Sequence, residues 1–127
     1  MRALRSPHEA YRRVEFDARV SGADPAGLVL VCFDQFGQSL AAALGGDLAG
    51  DNLRRSAGLT GALAAITALQ LGIDGAAGIA ASLTQFYDGA RRTLLGNVLS
   101  FDAKAVAALR DDFAEVARAL ADAGKAA

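Results

Sequence analysis

The residues able to carry chemistry are few and scattered. His8 is the only histidine and Cys32 the only cysteine among 127 residues. A single histidine gives no credible hydrolase triad and no multi-histidine metal site. The paired Glu-x-x-His motifs of a bundle-core di-iron centre do not occur. Cys32 has no partner for an intramolecular disulfide, and in the apolar run Leu28–Phe33 it reads as a small buried hydrophobe. Asp111 and Asp112 fall opposite Leu109 and Phe113 on a helical projection, so they belong to a solvated face rather than to general acid–base catalysis. The stretch GIDGAAG from Gly72 lacks the Lys-Ser/Thr ending of a phosphate loop and reads as a turn between helices. No enzyme and no cofactor is expected. What remains is surface for binding another polypeptide.

Bulk charge narrows the partner. Thirteen Lys and Arg against fourteen Asp and Glu give a net charge of -1, without the basic excess that a nucleic-acid binder shows. The opening MRALRSPHEAYRR has charges but no apolar core behind them, so it is not a secretory signal. No uninterrupted apolar run reaches the ~20 residues that cross a bilayer. No membrane insertion is expected, and the protein reads as cytoplasmic.

The elements that must build such a surface are helices. Ser6-Pro7-His8-Glu9 carries an N-cap, a Pro at the first helical position and a capping Glu, which predicts a short helix over 7–17. Asp24-Pro25 repeats the signal and opens a helix to about Leu44, with Leu28, Val31, Cys32, Gln35, Phe36 and Leu40 along one side and Gly45-Gly46 as its stop. Asp51 can cap a third, striped by Leu59, Leu63, Ile66, Leu69 and Ile73 and ending near Gly72. In the fourth, Ile79, Leu83, Phe86, Ala90, Leu94 and Val98 recur at three and four. The last runs from the N-cap Asp102 through Val106, Leu109, Phe113, Val116 and Leu120, with Phe101 stapled onto Val106, and Gly124 ends it. The tail 121–127 is expected to fray.

Four long helices with short links imply an all-α, antiparallel up-down four-helix bundle with a short extra N-terminal helix, one domain over 1–127. Gly37, Gly58, Gly61, Gly78, Gly89 and Gly96 fall inside or near helices, each costing about 0.5–1 kcal/mol against Ala. They mark either close helix packing or a bundle made compliant for a ligand.

Two blocks carry a resemblance. The first is AYRRVEF followed by VSGADPAGLVLVCFD, with Ala10, Tyr11, Ala23, Pro25, Leu28, Leu30, Phe33 and Asp34 at the matching positions. The second is IDGAAGIAASLTQFYDGARRTLLGN, with Gly78, Ile79, Ala80, Leu83, Tyr87, Asp88, Leu94 and Asn97. Together, in this order and separation, they resemble the flagellar secretion chaperones of the FliS family over roughly Ala10 to Leu120. The chain departs from that pattern at Gln35, where the family commonly has Gly, and at Phe113, the nearest residue to a Trp often found in the last helix.

The resemblance implies a monomeric export chaperone that binds the disordered C-terminal segment of flagellin one-to-one. It would prevent premature polymerisation and deliver the client to a component of the flagellar export gate. Candidate partner-binding residues are Tyr11, Val14, Val20, Leu28, Phe33, Tyr87 and Asn97. Two alternatives share the fold: a module for another client, such as a regulator or a different secretion substrate, and a homodimeric structural protein.

The N-terminal helix is too short to be stable alone, since isolated helices below ~12–15 residues are marginal in water. Ala10, Tyr11, Val14 and Ala18 form its narrow apolar stripe. We expect Tyr11→Ala to leave the melting temperature nearly unchanged while impairing one partner selectively. A destabilised variant with uniformly weakened binding would make Tyr11 a structural pin instead.

Overall fold

The computed structural model describes residues 25–72 and 80–126. They form four helices: α1 (Pro25–Ala49), α2 (Asn52–Leu71), α3 (Ala80–Leu99) and α4 (Ala103–Ala126). No strand occurs among them. The N-terminal helix expected over 7–17 lies outside the described residues, as do Ile73 and Ile79.

Caps set the boundaries largely where the sequence puts them. The Asp51 carboxylate accepts the Arg54 N–H at 3.0 Å and opens α2. The Asp102 carboxylate accepts the N–H groups of Lys104 and Ala105 at 3.1 and 3.3 Å and opens α4. Gly72 closes α2, its N–H shared between the carbonyls of Ala68 and Leu69.

Two expected stops fail. α1 runs through Gly45-Gly46 to Ala49, and α4 runs through Gly124 to Ala126. The true end of α1 is Gly50, at φ +69°, where the Gly50 N–H bonds the Asp47 carbonyl at 3.2 Å and the Asp51 N–H reaches back to Gly46 at 2.7 Å. That pair of bonds is a Schellman motif, which needs a left-handed residue and so a glycine. Gly46 serves a different purpose. A Cβ there would stand 2.5 Å from the Arg55 amide nitrogen, so α2 starts too close for any side chain.

The α1–α2 seam is the most extensive in the molecule, and small residues make it so. A Cβ at Gly58 would lie 2.5 Å from the Ala43 amide nitrogen and 2.6 Å from the Ser39 carbonyl. One at Gly61 would lie 2.6 Å from the Ser39 hydroxyl. Contacts that rise along α1, at Ser39, Ala43 and Gly46, fall along α2, at Gly61, Gly58 and Arg55. α1 also packs on α4 and α2 on α3, while α3–α4 is the loosest seam.

The core is built from Cys32, Phe33, Phe36, Leu40 and Ala43 of α1, Leu59, Ala62, Ile66 and Leu69 of α2, Tyr87, Ala90 and Leu94 of α3, and Val106, Leu109 and Phe113 of α4. α3 is rotated slightly from its expected stripe. Tyr87 and Asn97 are buried, whereas Leu83 and Phe86 are half-buried and Val98 is 57% exposed. Val116 and Leu120 are likewise only partly covered. α1 is unusual for a bundle helix. Over Gly27–Ala49 its length and mean hydropathy of 1.4 match those of a membrane span, a property that inspection for uninterrupted apolar runs does not reveal. One side of it nevertheless lies in the core, as a bundle's central helix requires.

The glycines therefore divide, and a matched pair of variants tests the division. Gly58→Ala gains helix propensity but overpacks the α1–α2 seam, for a net loss of about 1–2 kcal/mol and a lower melting temperature. A Cβ at Gly96 meets nothing within 4 Å, so Gly96→Ala should stabilise by about 0.5–1 kcal/mol. Thermal unfolding of the two variants should move in opposite directions.

Candidate partner-binding surface

Five aromatic rings occupy the middle of the bundle. Phe113 of α4 stacks on Phe36 of α1 at 3.9 Å between centroids and on Phe86 of α3 at 4.6 Å. Phe33 lies 5.1 Å from Phe113 and 6.1 Å, edge-on, from Tyr87. Such pairs add about 0.5–1.5 kcal/mol each beyond the area they bury. This cluster accounts for two candidate contacts. Phe33 and Tyr87 are buried among the rings, and their side chains present no surface to a partner in this arrangement.

Asn97 is buried as well, and its amide is committed to the α3–α4 turn. Its Nδ2 donates to the Thr93 carbonyl at 2.8 Å, and its Oδ1 accepts the Asp102 N–H at 2.5 Å. One side chain thus grips the body of α3 at the Thr93 carbonyl and satisfies the Asp102 N–H at the start of α4, a donor that a helix end leaves unpaired. Leu28 is half-buried against the core. Tyr11, Val14 and Val20 lie outside the described residues.

The surface that remains open is apolar in places the core stripes do not predict. Leu48, Leu53 and Leu99 are 91%, 85% and 90% exposed. They flank the α1–α2 and α3–α4 turns, which one residue ties together. The Arg55 guanidinium lies 5.3 Å above the Phe101 ring and 3.2 Å from the Asp47 carboxylate. Leu95 and Val98 continue the exposed apolar surface one turn along α3, and Leu30 and Leu71 lie exposed elsewhere. Sequence reasoning placed Val98 on the core stripe of its helix and missed Leu48, Leu53, Leu71, Leu95 and Leu99 because it searched each helix for that stripe. The signal of those five leucines was apolar character off the stripe.

A second opening lies between α3 and α4. It is an open groove of about 430 Å³ lined by Phe86, Gly89, Ala90 and Leu109, with Gln85, Arg92, Thr93 and Asp112 around it. The opposite side of α3 is closed by a polar seam. Arg91 donates to the Gln70 Oε1 and to the Thr67 hydroxyl at 2.6 Å each, and Gln70 donates to Asp88 at 2.8 Å. Here too the contacts run in opposite senses, Thr67 and Gln70 against Arg91 and Asp88. Among the described residues no cluster of three or more His, Cys, Asp or Glu side chains could hold a metal ion.

The class defined by these features is an all-helical bundle with exposed apolar side chains around its turns and an open groove of mixed polarity between α3 and α4. Residues 7–127 match the family described as flagellar protein FliS, and the chain belongs to that family of flagellar chaperones. Comparison with curated proteins finds no match.

Burial makes the core sensitive to alkali. Desolvation, with the adjacent Cys32 charge second, pushes the Tyr87 phenol from 10.0 up to about 12, and desolvation raises the Cys32 thiol above 9.0. Both groups hold their protons more tightly when folded than unfolded. Their contribution is complete below pH 9 and is lost as pH rises through the folded values. Denaturant midpoints should therefore fall progressively from pH 9 towards 12. Tyr87→Phe should make that decline shallower above pH 10; an unchanged slope would mean that Tyr87 is not buried.

Proposed function

We propose that this protein is a cytoplasmic chaperone for the disordered C-terminal segment of flagellin. It holds that segment one-to-one as a monomer and passes it to the flagellar export gate. The observation carrying this reading is a chain of the FliS family whose bundle leaves large apolar side chains, Leu48, Leu53, Leu95, Val98 and Leu99, open to solvent. Scattered exposed leucines need no explanation, but a set concentrated around two turns and one helix face marks an interaction surface.

The architecture favours such a client. Contacts that run in opposite senses at the α1–α2 and α2–α3 seams support an antiparallel up-down bundle. A disordered segment can form amphipathic helices only where their apolar faces are covered, and the exposed ridges and the α3–α4 groove supply that cover. Ordering the client on binding offsets part of the contact energy, which keeps the complex releasable at the export gate. The near-zero net charge fits apolar rather than electrostatic recognition.

Calorimetry with a synthetic peptide of the C-terminal flagellin segment from the same genome tests the reading. The expected result is one-to-one binding with a negative heat-capacity change, the marker of apolar burial, and only weak salt dependence. Absence of binding would leave the exposed apolar surface to another client. Sedimentation as a concentration-independent dimer would assign it to a second copy.

A further inference from the structure

α4 is attached to the bundle in two ways that differ along its length. Its start is laced by the other three helices. Asn97 of α3 accepts the Asp102 N–H, while the Arg55 guanidinium of α2 lies 5.3 Å above the Phe101 ring and 3.2 Å from Asp47 of α1. Past Val106 the lacing stops. Among the described residues, no hydrogen bond or ion pair links the remaining turns of α4 to another helix. Apolar side chains hold those turns alone, and their burial thins along the chain. Val106, Leu109 and Phe113 are buried, whereas Val116, Ala117 and Leu120 are only partly covered. α4 makes no close backbone approach to α2 and only a loose one to α3. α1 and α2 are joined in the opposite manner, backbone against backbone at Gly46 and Gly58.

We propose that α4 is a latched strap, which opens as a unit while α1 and α2 stay paired, with Asn97 and Arg55 as the positioning residues that set the cost of opening. Stability is not uniform across a fold, and the parts with few buried apolar contacts open at lower free energy than the whole molecule. α4 is that part here. Phe113 is its one extensive attachment, a ring in contact with Phe33, Phe36, Phe86 and Tyr87, so opening must withdraw this plug. Withdrawal uncovers the faces of Phe36 and Phe86 on which Phe113 stacks. It thereby adds apolar surface that the closed bundle hides. The inference goes beyond the chaperone reading and does not depend on which polypeptide the protein carries.

Amide hydrogen exchange of the full chain, resolved by residue and repeated at low guanidinium concentrations, tests this. Amides over 109–117 should exchange faster than those over 40–44 and 59–66. Their exchange should also depend less on denaturant, because a partial opening exposes less surface than global unfolding. Asn97→Ala strands the Asp102 N–H and should speed exchange in α4 about five- to thirtyfold. Arg55→Met keeps the aliphatic stem without the charge and should speed it about two- to fivefold, as a part-exposed ion pair does. Gly58→Ala is the discriminating variant. It strains a seam that persists in the open state, so exchange in α1 and α2 should quicken about five- to thirtyfold while that in α4 stays unchanged. A wild-type α4 as protected as α1 and α2, or an α4 that quickens with them in Gly58→Ala, would make the bundle one cooperative unit and overturn the proposal. Unchanged α4 exchange in both Asn97→Ala and Arg55→Met would overturn the latch.

Discussion

α1 and α3 lie diagonally in the bundle, with no close backbone approach between them, and the ring of Phe113 spans the gap. It stacks on Phe36 from one side and Phe86 from the other, with Phe33 and Tyr87 completing the contact. α4 needs this anchor because its seam with α3 is the loosest in the molecule. Replacing Phe113 by Ala removes the shared neighbour of four rings at once, within the class of core truncations that cost about 3–5 kcal/mol. The position of α4, and hence the width of the groove beside it, follows from how these five rings stack.

The bundle is consequently unequal in its two halves. α1 and α2 approach until glycine is the only residue that fits at Gly46 and Gly58, and such a seam cannot open without losing many short contacts together. α3 and α4 are joined through a core of rings and a turn held by Asn97, with an open trough between their outer faces. A chaperone has use for both properties. The tight half is closed by direct backbone approach, and the loose half leaves a groove whose lining reaches the core residues Ala90 and Leu109.

Residues singled out by their likeness to the family turn out to have structural work. Tyr87 and Phe33 build the ring cluster, Asn97 ties α3 to α4, and Asp88 receives the Gln70 amide in the α2–α3 seam. The apolar surface instead comes from Leu48, Leu53, Leu95 and Leu99, which no motif marks. A motif records what a fold needs at fixed geometry, and buried rings and turn amides are more constrained than leucines on a surface ridge.

The sequence by itself determined the four long helices, their caps at Asp51 and Asp102, the closure of α2 at Gly72, the burial of Cys32 and much of the core, because local hydrogen bonding and three-four periodicity act over a few residues. It also pointed to the family. Only the tertiary structure decided which glycines are packed against and which face outward, since that depends on what the neighbouring helix brings to each position. The same cause moved the end of α1 from Gly45-Gly46 to Gly50, turned α3 so that Tyr87 faces the rings, and set Arg92 and Asp112 on opposite sides of one groove. Those outcomes depend on distances between helices, and no single helix's sequence contains them.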